Sequence, residues 1–190
     1  MQKQMRIWAT AGVLALTSLG TAFAADSMGA QQDPMVGGHA MSAQKTIVQN
    51  AVNSDDHKTL VAAVKAAGLV DTLNGPGPFT VFAPTDEAFA KLPAGTVDTL
   101  VKPENKATLT KILTYHVVAG RLDSKAIAAM IKAGGGKATL KTVEGEPLTA
   151  TMDGSAIELT DSKGGMSKVT IGDVYQSNGV IHVVDSVLMP

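Results

Sequence analysis

The stretch GPFTVFAPTDEAFAKLP, residues 77–93, contains the change from strand to helix that decides the fold. After a Gly-Pro turn, residues 79–82 have the β-branched and aromatic composition of a strand. Pro84 ends that strand, and Thr85 is a suitable N-cap because its hydroxyl can accept a free backbone amide. The stretch therefore predicts a strand that leads through a proline into a short helix, which ends at Pro93.

Asp86 and Glu87, in the first turn of that helix, could form an acid/base pair or a cation site. However, adjacent helical residues point about 100 degrees apart, so the two carboxylates cannot face one substrate atom together. A helix N-terminus favours negative charge by about 0.3–1 kcal/mol, which accounts for both residues without catalysis. The aromatic residues Phe79, Phe82 and Phe89 are predicted to be core residues on either side of the turn.

The first half of the chain is predominantly helical in pattern. Helices are predicted within 45–52, 54–70 and 103–116, where apolar residues recur at helical spacing. Gly68 is suited to a left-handed C-cap, and the glycines and prolines of NGPGP, residues 74–78, predict a loop.

The second half is predominantly strand-like. Asp153-Gly154 is a strong hairpin signal, and the segments around it alternate between apolar and polar residues. One capped helix is predicted within 123–136, and short strands are predicted within 115–120, 137–145, 146–154, 155–161, 168–174 and 178–190. A helix-rich first half followed by a strand-rich second half predicts the α+β class.

The first 24 residues have the pattern of a secretory signal peptide. Lys3 and Arg6 precede an apolar stretch and an Ala-x-Ala cleavage sequence. The apolar stretch is shorter than the ~20 residues of a membrane-spanning helix, so the mature chain is expected to be exported without insertion into a membrane. Residues 25–44 lack apolar periodicity and predict a flexible tether, and residues 45–190 are predicted to form one domain.

Composition excludes several classes of function. The chain has 16 Lys plus Arg and 17 Asp plus Glu, and loss of Lys3 and Arg6 with the signal changes the net charge from −1 to −3. No basic face is indicated, so nucleic acid is not an expected partner. The absence of cysteine excludes disulfides, thiolate nucleophiles and cysteine metal sites.

Three segments in this order resemble the fasciclin domain family: FTVFAPTDEAF at 79–89, Tyr115-His116, and NGVIHVVDSVL at 178–188. The resemblance covers about residues 45–190 and is closest to small secreted bacterial members. It implies a wedge-shaped β-sandwich of about seven strands with flanking helices. The motif positions, which the resemblance implies are structural, are Phe79, Thr80, Val81, Phe82, Ala83, Pro84, Thr85, Asp86, Phe89, Asn178, Gly179, Val180, Ile181, His182 and Val184.

The resemblance also implies a partner-binding surface. In animal members, integrin contact is assigned to the Tyr-His element and to an Asp-Ile pair shortly before the Asn-Gly of the last segment. The matching positions here are Tyr115, His116, Asp173 and Val174, with Val in place of Ile. Their exposed members are the candidate contact surface.

No catalytic residue is predicted. Common hydrolase, zinc and phosphate-binding motifs are absent from the sequence, and His116 and His182 are interpreted as hydrogen-bonded structural residues. A secreted hydrolase is therefore the least favoured of three classes considered.

The predicted tether contains a possible copper site. Met28, Met35, His39 and Met41 are soft ligands within a short segment and could bind Cu(I).

The leading hypothesis is an exported, non-enzymatic adhesion module that recognises a protein or glycan at the cell surface, in the matrix or in a biofilm, without a cofactor. The alternative is a periplasmic, stress-related protein that binds a small molecule or copper. A polar pocket near His116 or His182 would favour the alternative, and a flat apolar patch would favour adhesion.

Overall fold

The computed structural model describes residues 33–190. The helices in this part of the chain are α1 (Ile47–Ala51), α2 (Lys58–Ala67), α3 (Val70–Leu73), α4 (Asp86–Ala90), α5 (Thr96–Leu100), α6 (Lys106–Tyr115) and α7 (Ser124–Ala133). The strands are β1 (Met35–Val36), β2 (His39–Ala40), β3 (Phe79–Pro84), β4 (Val117–Ala119), β5 (Lys137–Lys141), β6 (Pro147–Asp153), β7 (Ala156–Thr160), β8 (Met166–Gln176) and β9 (Gly179–Val184). Within these residues, no helix has the length and apolarity needed to cross a membrane.

Seven of the strands form one sheet in the order β4-β3-β9-β8-β7-β6-β5. Strands β3 and β9 are parallel, and the other neighbours are antiparallel. The two edges approach each other through a bridge between Val118 and Thr142, and the Val143 N–H donates to the Val117 carbonyl at 2.7 Å. The sheet is therefore nearly closed into a barrel, and the predicted α+β class with seven strands and flanking helices is confirmed.

Strand β3 is buried on both of its faces because two apolar cores lie on opposite sides of the sheet. Val81 and Ala83 belong to the first core, beneath α1, α2 and α6, whereas Phe82 belongs to the second core, beneath α7. Its parallel partner β9 is buried throughout. Double-sided burial is the normal condition of parallel strands, which explains their nearly continuous apolar composition.

Side-chain caps mark the starts of α1 and α4, and a glycine ends α2. Thr46 accepts the Gln49 N–H and the Gln49 side chain accepts the Thr46 N–H, which is a complete capping box at α1. Thr85 accepts the Ala88 N–H at 3.2 Å at the start of α4, where the sequence places the N-cap. Gly68 takes the left-handed C-cap of α2 with φ 74°.

The structure corrects part of the predicted tether. Strands β1 and β2 form a short hairpin, and Val36 and Met41 are buried in the first core. Gly37 has a positive φ, and a Cβ there would lie 2.3 Å from the Ser54 hydroxyl oxygen, so only glycine fits this turn. Only two isolated apolar side chains, Val36 and Met41, pack this segment against the core. Two such residues are too few to produce a periodic pattern in the sequence, so the sequence predicted a flexible tether. Residues 1–32, which hold the predicted signal peptide, lie outside the described residues.

Candidate binding surface and apolar cavity

Tyr115 does not reach the surface. Its ring is fully buried in the second core. Its hydroxyl donates to the Pro147 carbonyl at 3.0 Å and accepts the Ser162 N–H at 3.2 Å. The tyrosine therefore joins the end of α6 to the loops that flank β6 and β7.

His116 is buried next to it, and both of its ring nitrogens are occupied. Nδ1 donates to the Ile112 carbonyl at 2.8 Å, and Nε2 accepts the Leu188 N–H at 3.0 Å. Because a carbonyl can only accept, the proton is on Nδ1 and the ring is neutral. Burial lowers the pKa of His116 to about 4, although the Ile112 carbonyl opposes that shift. The imidazole holds the C-terminal segment against α6.

His182, in β9, has a similar arrangement. Nε2 donates to the Leu122 carbonyl at 2.8 Å, and Nδ1 accepts the Asp173 N–H at 3.4 Å. Its ring stacks on Phe82 with a centroid separation of 5.6 Å. Burial lowers the pKa of His182, so the neutral form is favoured.

Asp173 lies where β8 bulges between Ile171 and Val174, and its φ is 59°. Its carboxylate accepts the Ser124 N–H at 2.6 Å and the Ser124 hydroxyl. The bulge thus turns a strand carboxylate onto the first residue of α7, where it satisfies a free amide. Val174 is only 1% exposed.

The four predicted partner-binding residues therefore do not form a surface together. Tyr115, His116 and Val174 are buried, and Asp173 is partly exposed but bonded to α7. The alternation of a regular strand would not place Asp173 in this way, because the bulge depends on pairing between distant segments.

Asp173 lies within a different group of side chains. We call this group the Tyr175 surface and define it as Arg121, Asp123, Asp173 and Tyr175. Arg121 is exposed and donates through Nη2 to the Gln176 carbonyl at 3.1 Å. The Tyr175 hydroxyl donates to the Asp123 carboxylate at 3.3 Å. Partial burial raises the pKa of Tyr175, and the Asp173 and Asp123 carboxylates add to that shift. The sequence predicted only Asp173 of this set and not Arg121, Asp123 or Tyr175, because the members come from two distant segments.

The Asn-Gly of the last motif segment fastens the loop before β3 to the helices. Asn178 accepts the Ile47 N–H at 3.1 Å and donates to the Leu73 and Gly75 carbonyls at 2.7 and 3.0 Å. A Cβ on Gly179 would lie 2.1 Å from the Phe79 carbonyl oxygen, so the close approach of the two parallel strands requires glycine.

Asp86 stabilises a second helix besides its own. Its carboxylate accepts the Thr59 N–H at 2.8 Å, in the first turn of α2. Glu87 is exposed in the same turn of α4. The two carboxylates have separate environments, and Asp86 is engaged in helix packing.

An apolar cavity of about 60 Å³ lies in the first core, between the helices and strands β3 and β9. Its lining includes Leu60, Val64, Leu73, Leu113 and Ile181. His116 also lines it, but both ring nitrogens are already bonded, so the imidazole contributes no free polar atom. The cavity beside His116 is thus apolar, and it is not the polar pocket that the alternative hypothesis predicts beside this histidine.

The described residues of the predicted copper site lie in different environments. Met41 is 2% exposed in the first core, whereas Met35 is 60% exposed, and His39 pairs with Asp55 at 3.3 Å. The segment is a packed hairpin in which Met41 faces the core while Met35 is exposed, and copper binding by this segment stays a prediction. Met28 lies outside the described residues, and residues 33–190 contain no cluster of three or more His, Asp or Glu able to hold a metal.

Comparison with known proteins identifies the family. A sequence model described as the fasciclin domain matches residues 55–190. The chain belongs to the fasciclin family. Protein sll1483 of Synechocystis sp. is 46% identical over 162 residues, which cover 84% of this chain and 82% of that protein.

Two mycobacterial relatives are also fasciclin-like. The immunogenic protein MPB70 of Mycobacterium bovis is 38% identical over 152 residues, or 77% of this chain and 70% of that protein. The cell surface glycolipoprotein MPB83 of the same species is 37% identical over 166 residues, or 85% of this chain and 68% of that protein.

The fold matches a solved structure of a FAS1 domain pair from the insect cell adhesion molecule fasciclin I. The TM-score is 0.68 with 19% sequence identity, and the match covers 77% of this chain and 51% of that chain. The likeness shows a common fasciclin fold for this single domain.

Proposed function

We propose that this chain is an exported, non-enzymatic fasciclin domain that binds a protein or a glycan at the cell surface, in the extracellular matrix or in a biofilm. Two observations about similar proteins support this role. One relative is a cell surface glycolipoprotein, and the matching structure comes from a cell adhesion molecule. In this role the residues that contact the partner lie on the outer surface of the domain.

The motif side chains support binding over catalysis. His116, His182 and Asp173 are each committed to backbone groups, and Asp86 is committed to α2. A catalytic role requires a nucleophile, base or acid with a free reactive atom directed at a substrate. In residues 33–190 these four side chains are bonded within the fold, which supports a role other than catalysis.

The Tyr175 surface is the observation that carries the proposal. Tyrosine and arginine are enriched at the energetic centres of protein interfaces, and Tyr175 and Arg121 lie together beside two carboxylates. Internal hydrogen bonds hold Tyr175 and Arg121 before a partner arrives, which lowers the entropic cost of binding. The carboxylates can accept hydrogen bonds from glycan hydroxyls or from a basic protein segment.

Capture of partners from cell-surface extract tests this surface. Tyr175→Ala and Arg121→Glu are each expected to weaken capture by at least about tenfold, the effect of losing an interface centre. Lys137→Glu, a charge reversal at an exposed residue of β5, is the matched control and is expected to bind normally.

Prior digestion of the extract distinguishes the two partner classes. Loss of capture after protease treatment identifies a protein, and loss after glycosidase treatment identifies a glycan. Unchanged capture by folded Tyr175→Ala and Arg121→Glu variants would remove this surface from the proposal.

A further inference from the structure

The apolar cavity of the first core has no part in the adhesion proposal. We propose that it is a binding site for the hydrocarbon chain of a single-chain carboxylate, such as a fatty acid, and that Lys65 pairs with the carboxylate at its mouth. The chemistry of the lining, the size of the space and the charge beside it each favour such a ligand.

The lining disfavours water. A water molecule needs about 10–15 Å³ and two to four polar partners, and this cavity of about 60 Å³ meets only the first condition. Among the polar residues of the lining, the His116 nitrogens are occupied by backbone groups and the Thr114 hydroxyl donates to the carbonyls of α6. The other two, Thr72 and Lys65, are exposed to solvent. The space is favourable for hydrocarbon, whose transfer from water needs no polar partner.

The size favours a narrow chain over a ring system. An apolar cavity that holds one benzene has a volume of about 150 Å³, larger than the present one. The cavity is bordered by Val48, Val61 and Val70, which are only half-buried and extend the apolar lining toward solvent. A linear chain can place its end in the cavity and its remaining methylenes along these valines.

Lys65 supplies the charge that a carboxylate needs. It lies in the last turn of α2, and it both lines the cavity and remains exposed. The lysine stem can cover apolar surface while its ammonium stays in water. None of the ion pairs among residues 33–190 involves Lys65, so its ammonium is available to an anionic head group within the described part of the chain.

Isothermal titration calorimetry with dodecanoate, and with dodecanol as a probe of equal chain length without charge, tests the site. Wild-type protein is expected to bind both at one site. Lys65→Gln is expected to weaken dodecanoate about fivefold, as befits an exposed ion pair, and to leave dodecanol unchanged. Lys132→Gln, in the last turn of α7 and outside the cavity lining, is the matched control and should bind both as wild type does.

Filling the cavity mouth tests the chain part separately. Val48→Phe is expected to weaken both probes at least about tenfold, because the ring occupies space that the chain needs. Val52→Phe is the matched control, since Val52 follows the same helix but does not line the cavity, and its affinity should equal that of wild type.

Three results would overturn the proposal. If the wild-type protein shows no saturable binding of dodecanoate, the cavity is not a binding site. If Val48→Phe and Val52→Phe bind dodecanoate with equal affinity, any binding takes place elsewhere on the protein. A third result is that the protein instead sediments with phosphatidylglycerol vesicles at protein concentrations where it does not bind dodecanoate. That result would assign the cavity mouth to a membrane lipid and not to a free acid.

Discussion

The two cores on either side of the sheet differ in how closely they are packed. In the second core, Leu148 and Leu159 of the sheet and Ile127 of α7 are each 0% exposed. In the first core, Leu60 and Leu73 are each 7% exposed, and the cavity lies among them. The face of the sheet under the second core is thus tightly covered, whereas the face under the first core borders a cavity.

The helices explain the difference. Helix α7 is one continuous helix of 10 residues that covers strands β5, β6 and β7. The first core is covered by several helices, which include α2 and α6 with 10 residues each and the shorter α1 and α3 with 5 and 4. Several helices that meet over one face leave gaps between them that a single helix does not, and the cavity of the proposed ligand lies on this face.

The largest expected effect comes from removing the ring between the two cores. Phe82 is fully buried in the second core and also lines the cavity. Phe82→Ala is expected to lower the free energy of unfolding by about 3–5 kcal/mol, measured by urea denaturation. A near-neutral result would mean that neither core depends on this ring.

A matched pair of Leu→Ala changes compares the cores directly. Leu148→Ala is expected to cost about 3–5 kcal/mol, because the rigid surroundings of the second core leave a new cavity. Leu60→Ala is expected to cost about 2–3 kcal/mol, because Leu60 already borders empty space and loses fewer contacts. Equal costs in urea denaturation would contradict the difference in packing.

Acidification weakens the contact between the cores. His116 lines the cavity, and its Nε2 holds Leu188 of the second core. Its pKa is about 4 in the folded protein against 6.5 in the unfolded chain, so the unfolded chain binds more protons between these values. Between pH 7.5 and pH 5 this residue alone should lower the free energy of unfolding by about 2 kcal/mol.

Urea denaturation at the two pH values measures this loss. Burial lowers the pKa of His182 as well, so its contribution has the same sign. The His116→Asn variant is less stable but should lose less on acidification than wild type. An identical pH dependence of the two proteins would contradict the assignment of a neutral, bonded His116.

The smallest effect is expected at the N-terminus of α2 in the first core. Asp86→Ala should cost about 1 kcal/mol, because the Thr59 N–H loses its carboxylate acceptor. Glu87→Ala, one residue along in the same helical turn, is the control and should be nearly neutral in thermal unfolding, since Glu87 is exposed. Asp86→Glu should leave partner binding unchanged. A larger cost for Glu87→Ala would reverse the roles given to the two carboxylates.

Local patterns were sufficient to predict much of the fold. The strand of residues 79–82, the N-cap at Thr85 and the left-handed Gly68 follow from rules that involve only nearby residues. The seven strands and the α+β class were predictable for the same reason, together with the resemblance of three segments to one family.

The site was less predictable because it depends on distant segments. The parallel pairing of Phe79 with Gly179, the bulge at Asp173 and the burial of Met41 each require contacts between distant parts of the chain. The bulge directs the Asp173 carboxylate onto Ser124 at the start of α7, a contact that the alternation of a regular strand does not predict. The cavity follows from how several helices meet, which no local pattern describes.

A methyl NMR titration of the protein with dodecanoate tests the contrast between the two cores most directly. The account predicts chemical-shift changes in the methyl groups of Val48, Val61 and Leu73, which line the cavity, and none in those of Leu148 and Leu159. Shifts confined to the second core, or spread equally over both cores, would contradict it.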